Sequence, residues 1–210
     1  MAGYRDPLRT PRQREKIKER LFRPIAIEIG WLVFEWNRLQ EHLAELFAQI
    51  SNPHSPDIPL AIWYSIDNDR VRREMLRAAA KARFTDSTGS LRNEGDAIDW
   101  LVREVNKLTD RRNDAIHAPF NFVINADVQQ IELHPSVWLG NPRARKFHGK
   151  DVLKEVSWHR HTARVLADYA LTIFYAVRDP SHLTWPDKPQ MPHLGQYPTQ
   201  KKLRHQKRAK

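Results

Sequence analysis

Residues 96–117 have the sequence DAIDWLVREVNKLTDRRNDAIH, an apolar-periodic segment that ends in a dense group of polar side chains. Apolar residues recur every three or four positions, the spacing of one helix face, at Ile98, Leu101, Val102, Val105 and Leu108. Asp96 is a suitable N-cap, and Pro119 disfavours helical geometry in the residue before it. The sequence therefore predicts an amphipathic helix from about Asp96 to His117.

Three further segments share this spacing and predict helices over residues 24–50, about 60–84 and about 150–178. Pro24 suits the first turn of a helix, where its missing N–H is not needed. Two β-rich stretches, FNFVIN (120–125) and QQIELHPSVW (129–138), are joined through Ala126 and Asp127 and predict a hairpin. We expect a mainly all-α fold: an up-and-down four-helix bundle with a small β-hairpin insertion, about residues 119–149, between helices three and four.

Charge and composition divide the 210 residues into one domain and two ends. The net charge is +10, but residues 1–23 and 186–210 carry the excess, and the middle is nearly neutral. We therefore expect a basic N-terminal arm (1–23), a helical domain (24–180) and a Pro-rich basic tail (181–210). In the tail, Lys201, Lys202 and Arg204 could contact RNA or another polyanion, or could only aid solubility.

The residue types also exclude several classes of protein. The chain has no Cys, so a disulfide scaffold, a thiolate metal site and a Cys nucleophile are excluded. The first twenty residues contain no apolar run typical of a secretory signal, and the apolar run at 25–36 is too short to span a bilayer. These features predict a soluble cytoplasmic protein that does not insert into a membrane.

The end of the third predicted helix concentrates the side chains best suited to chemistry. Arg111 and Arg112 supply guanidinium groups that bind phosphate, Asn113 supplies an amide, and His117 supplies an imidazole that can transfer a proton. A second Arg and His at similar spacing, Arg143 and His148, lie in a stretch whose Gly, Asn and Pro residues predict a loop. The helical context and the Asn after the Arg favour the first group.

This Arg-Asn-x-x-x-His pattern (Arg112, Asn113, His117), closing a helix in a small all-α chain, resembles the HEPN superfamily (higher eukaryote and prokaryote nucleotide-binding domains). The resemblance covers about residues 24–180, and GWLVFEWNRLQEHLAELF (30–47) is similar to the first helix of many bacterial members. It implies a homodimeric, metal-independent endoribonuclease without a cofactor, either a toxin or a phage-defence effector, with RNA as substrate and an antitoxin-like partner protein.

The resemblance also implies roles for the motif residues. His117 would be the general base or acid, Arg112 would hold the scissile phosphate, Asn113 would orient one of them, and Arg111 would be a secondary phosphate contact. Arg112 points well away from His117 on a regular helix. In the family, two copies of the helix meet across a dimer interface, which relieves this difficulty.

Less specific interpretations remain open. The motif residues could be surface charges, with His117 capping the helix end, in a non-catalytic interaction or nucleic-acid-binding protein of HEPN-like fold. His159 and His161 point to different sides of a helix, so a shared metal is not expected. Most Trp residues lie at helical apolar positions and predict core packing, and only Trp138 and Trp185, in predicted loops, are candidates for stacking on RNA.

Overall fold

The computed structural model describes residues 10–125, 130–137 and 140–193. This part of the chain contains six helices and one two-stranded sheet, and it confirms the mainly helical class. In chain order the elements are α1 (Pro11–Ser51), α2 (Asp57–Tyr64), α3 (Asp69–Phe84), α4 (Asn93–His117), β1 (Phe120–Asn125), β2 (Gln130–Pro135), α5 (Pro142–Arg145) and α6 (Val152–Arg178).

The four long helices contact one another in a closed ring: α1 packs on α6, α6 on α4, α4 on α3, and α3 on α1. Their apolar faces meet in one core that includes the fully buried Leu39, Leu76, Leu101 and Leu166, one from each helix. Burying a side chain of this size contributes about 1.5–3 kcal/mol relative to leaving it in water. The core is therefore what holds α4, and the residues at its end, in place.

The first helix begins at Pro11, so the predicted start at Pro24 was wrong. Thr10 and Gln13 form a capping box, in which the backbone N–H of each donates to the side chain of the other. Residues 11–23 are rich in Arg, Lys, Glu and Gln, which propagate a helix well. These preferences outweigh the helical hydrogen bond that Pro24, inside α1, cannot donate.

The predicted second helix, 60–84, is divided into α2 and α3. Asn68 causes the division, because its side chain accepts hydrogen bonds from the backbone N–H groups of Arg70 (2.9 Å) and Val71 (3.3 Å). An N-cap of this kind starts a new helix and fixes its direction. The apolar spacing correctly predicts helix on both sides of Asn68, but it does not predict the break between α2 and α3.

Helix α4 ends at His117, as predicted, and Ala118 is extended before Pro119. It begins at Asn93 rather than at Asp96, which lies in the first turn. The start of α4 is tightly packed, since a Cβ atom on Gly95 would clash with the side chain of Leu91.

The hairpin prediction is confirmed: β1 and β2 pair antiparallel, with Phe120 opposite Pro135, between α4 and α6. The predicted joining residues Ala126 and Asp127 lie outside the described residues. The segment around Arg143 was predicted to be a loop but contains the short helix α5, which Asn141 caps. Helix α6 begins at Val152 after the N-cap Asp151 and ends at Arg178, close to the predicted bounds.

The first part of the predicted C-terminal tail, residues 181–193, contains no helix and runs along the helices. Lys188 pairs with Asp96 at 2.7 Å, and the indole Nε1 of Trp158 donates to the carbonyl of Pro192 at 2.7 Å. Trp185 packs on the core with its ring 6.3 Å from that of Phe84. None of the helices in the described residues is long and apolar enough to cross a membrane.

Candidate active site on helix α4

The motif lies on the last two turns of α4, which stays helical through His117. Ala115 is fully buried between the motif residues and attaches this end of the helix to the core. Residues one position apart differ by about 100° around a helix, so Arg111 and Arg112 leave α4 in different directions. The structure places them in two separate clefts.

Arg112 is held on two sides. Its Nη1 donates to the side-chain oxygen of Asn113 at 2.9 Å, and its guanidinium lies over the ring of Trp36 in α1, 5.1 Å from the ring centroid. Its Nε is buried and has no hydrogen-bond partner among the described residues. Partial burial lowers the pKa of Arg112 from its usual value, although a guanidinium stays charged. The result is a cation of fixed direction with unused donor capacity.

Asn113 contacts Arg112, and in this structure it orients the guanidinium rather than the imidazole. His117 lies one turn further along the same face of α4, is exposed to solvent, and forms no hydrogen bond or ion pair with the described residues. Five positions separate Arg112 from His117, so they lie about 140° apart around the helix. Within one chain, the imidazole does not line the groove that Arg112 faces.

That groove runs between α3 and α4 and has a volume of about 900 Å³. Besides Arg112 and Asn113, it is lined by Asn106 and by Arg73, a residue that sequence reasoning missed. A usable signal was present. The apolar buried residues of α3 are Leu76, Ala80 and Phe84, and the same stripe continued back by one turn reaches Arg73.

Arg111 faces a second cleft, of about 760 Å³, between α4 and α6. Its guanidinium lies 5.1 Å from the ring centroid of Trp158, and His159 lines the same cleft. His159 is buried, and in the described part of the chain its Nδ1 has no hydrogen-bond partner. Burial, and secondarily the positive charge of Arg111, lower the pKa of His159 to about 4, so this imidazole is neutral at neutral pH. Asp114 lines this cleft as well and pairs with Lys146 at 2.6 Å.

The structure describes some of the remaining residues singled out in the sequence, but not all of them. Lys201, Lys202, Arg204 and Trp138 lie outside the described residues. Trp185 is half-buried and packs against the core, with its ring beside that of Phe84. Trp31, predicted to be a core anchor, is instead 50% exposed on α1. His159 and His161 have separate surroundings, and in the described part of the chain no group of three or more His, Asp or Glu is placed to hold a metal ion.

No protein-family model matches the chain, and no curated protein or solved structure shows significant similarity to it. Function must therefore be inferred from the side chains of α4 and their neighbours.

Proposed function

We propose that this chain is a metal-independent endoribonuclease of the HEPN type that acts as a homodimer. The observation that supports it best is the arrangement of three side chains: Asn113 holds the guanidinium of Arg112, and the His117 imidazole is exposed one turn further along the same helix. A fixed cation for phosphate and an accessible imidazole for proton transfer are what RNA cleavage by its own 2′-hydroxyl requires.

The chemistry follows from these groups. His117 removes the proton of a ribose 2′-hydroxyl, whose oxygen attacks the adjacent phosphorus. The bond to the 5′-oxygen breaks, and an imidazolium returns a proton to that leaving oxygen. Arg112 binds the phosphate and stabilises the charge that builds on its oxygens. The products are a 2′,3′-cyclic phosphate and a 5′-hydroxyl.

A second copy of the chain completes the site in this proposal. Arg112 and His117 lie on different sides of α4 in one chain, so His117 of one protomer would work with Arg112 of its partner. We also infer that the four long helices α1, α3, α4 and α6 form an up-and-down bundle, which their closed ring of contacts supports.

The biological setting is part of the same proposal. A ribonuclease without a metal requirement damages the RNA of its own cell unless it is controlled. We therefore place the enzyme in the cytoplasm as a toxin or phage-defence effector, restrained by an antitoxin-like partner protein.

The deciding experiment incubates the wild type, His117→Ala and His182→Ala with labelled single-stranded and structured RNAs in EDTA. His182 serves as the matched control. It is an exposed histidine that follows α6 in the chain, and it pairs with Asp179. We expect cleavage with cyclic-phosphate ends by the wild type and by His182→Ala only. Equal cleavage by all three proteins would indicate a contaminating nuclease and remove the assignment.

A non-catalytic interaction protein is the second candidate, and one observation favours it. Helix α1 exposes a stripe of large apolar side chains at Ile27 (50%), Trp31 (50%) and Phe34 (56%), and the two aromatic rings pack edge to face at 5.8 Å. Such a stripe is more typical of a protein contact than of solvent. In this case His117→Ala would change nothing, while deletion of residues 186–210 would weaken RNA binding.

A further inference from the structure

Arg73 is a buried cation that forms no ion pair with the residues that the structure describes. Only 2% of its surface is exposed, and its Nε donates to the side-chain oxygen of Asn106 in α4 at 2.6 Å. Its Nη1 is buried and has no hydrogen-bond partner among the described residues. A buried charge that is neither paired nor fully hydrogen-bonded lowers the stability of the folded protein, so the burial of this guanidinium is unfavourable unless a ligand compensates it.

The described carboxylates near Arg73 do not neutralise its charge through an ion pair. Asp69 lies close enough to act on Arg73 electrostatically, but its ion pair is with Arg72, at 3.5 Å. Glu74, whose ion pair is with Arg77 at 3.7 Å, and Asp110 also act on Arg73 electrostatically, but no ion pair joins Arg73 to a described carboxylate. The burial that lowers the pKa of Arg73 therefore exceeds the compensation from its neighbours.

Arg112 has the same deficiency in the same groove. Arg112 too is influenced by the charge of Asp69 without pairing with it, and its buried Nε has no partner within the described ranges. Arg73 projects from α3 and Arg112 from α4, and both line the groove of about 900 Å³ between these helices. Two guanidinium groups from opposite walls, each with a buried N–H that has no partner among the described residues, therefore line one groove, which Asp67, Asp69 and Asp110 also line.

We propose that this groove binds a phosphate group between Arg73 and Arg112, with Arg73 as a second phosphate-binding residue. A phosphate carries the charge and the number of acceptor oxygens to bond both guanidinium groups at once. The groove volume lies in the range of sites that hold a ligand the size of a nucleotide. The proposal rests on the proposed function for Arg112 and adds Arg73 to it. The phosphate belongs either to an RNA strand or to a free nucleotide.

The test measures binding to the full chain carrying His117→Ala, so that RNA is not cleaved. The probes are inorganic phosphate, AMP and an RNA oligonucleotide with 2′-O-methyl groups, each titrated calorimetrically and followed by thermal unfolding. Arg73→Met removes the guanidinium and keeps an unbranched side chain. Arg103→Met removes an equal charge from an exposed position of α4 that pairs with Asp99, and is the matched control.

We expect Arg73→Met to weaken phosphate binding about ten- to a hundredfold, the size of a lost charged hydrogen bond, and Arg103→Met to change it less than twofold. Without phosphate, Arg73→Met should unfold at the same temperature as its parent or higher, because an uncompensated charge has been removed. Adding phosphate should raise the unfolding temperature of the parent and of Arg103→Met, and should raise that of Arg73→Met much less. If Arg73→Met does not fold, Arg73→Lys, which keeps the charge but loses the forked donors, must show the weaker binding.

The outcomes separate the two proposals. Phosphate affinity equal in Arg73→Met and Arg103→Met overturns the Arg73 site even if the wild type cleaves RNA. Arg73-dependent phosphate binding by a protein that cleaves no RNA supports the site and removes the ribonuclease. Tight binding of AMP identifies the ligand as a free nucleotide, and tight binding of the oligonucleotide alone identifies it as RNA, and either result supports the site. A lower unfolding temperature for Arg73→Met with unchanged phosphate binding assigns Arg73 a structural role and overturns it.

Discussion

The guanidinium of Arg112 lies 5.1 Å from the ring centroid of Trp36, a core residue of α1 that is only 2% exposed. A charged group of the motif therefore rests directly on the hydrophobic core. A cation over an indole face is stabilised by about 0.5–2 kcal/mol, more when water is excluded. Together with the hydrogen bond to Asn113, this contact determines which groove the guanidinium faces.

Adjacent arginines should contribute very differently to RNA cleavage. If Arg112 binds the scissile phosphate as proposed, Arg112→Ala should lower kcat/KM about a hundredfold or more. Arg111→Ala removes the same charge one residue earlier, but from the cleft that Trp158 lines, and should change kcat/KM only a few-fold. Single-turnover cleavage of one RNA by both variants checks this. Equal losses would mean that the two arginines act only through net charge.

Trp36 should matter to activity beyond its part in stability. Trp36→Leu should lower the free energy of unfolding by about 2–4 kcal/mol, since it leaves a cavity in the core. It should also lower RNA cleavage at temperatures where the variant is fully folded, because Arg112 loses its support. Trp63→Leu alters an equally buried indole on α2 and should destabilise similarly without the loss of cleavage. Urea unfolding and cleavage rates, measured on the same preparations, compare the two.

His159 should make the fold sensitive to acid. Its pKa is about 4 in the folded chain against an ordinary value of 6.5, so the unfolded chain takes up the proton first as the pH falls. The contribution of His159 to the free energy of unfolding is therefore fully present above pH 6.5. It is lost as the pH falls from 6.5 towards 4, by about 3 kcal/mol in all. His159→Phe cannot be protonated, and this part of the pH dependence should vanish. Urea unfolding of both proteins at pH 7.5, 5.5 and 4.5 measures the difference.

The break between α2 and α3 should depend on one side chain. Asn68→Ala removes the acceptor for two backbone N–H groups and should lower the free energy of unfolding by about 1 kcal/mol. Asn68→Asp retains an acceptor and should keep most of the wild-type free energy of unfolding. Chemical denaturation of the three proteins is sufficient. Equal stability of Asn68→Ala and the wild type would contradict the capping role.

Local patterns in the sequence are sufficient to predict most of the long helices. Apolar spacing predicted α4 to its last residue and α6 to within two residues, because a helix face that must be buried repeats every three to four positions. It failed at Pro24 and between α2 and α3. At both places capping hydrogen bonds decided where a helix starts, and the apolar stripe does not record them.

The amino-acid sequence by itself determined that Arg112, Asn113 and His117 end one helix, and that Arg112 and His117 diverge around it, because helical geometry fixes the angle between residues of known spacing. Only the tertiary structure decided what each side chain meets. Trp36 supports Arg112 from α1, Arg73 faces the same groove from α3, and Trp158 takes Arg111 to another cleft. These contacts join residues far apart in the chain, and they exist because burying four apolar faces at once fixes which helices become neighbours.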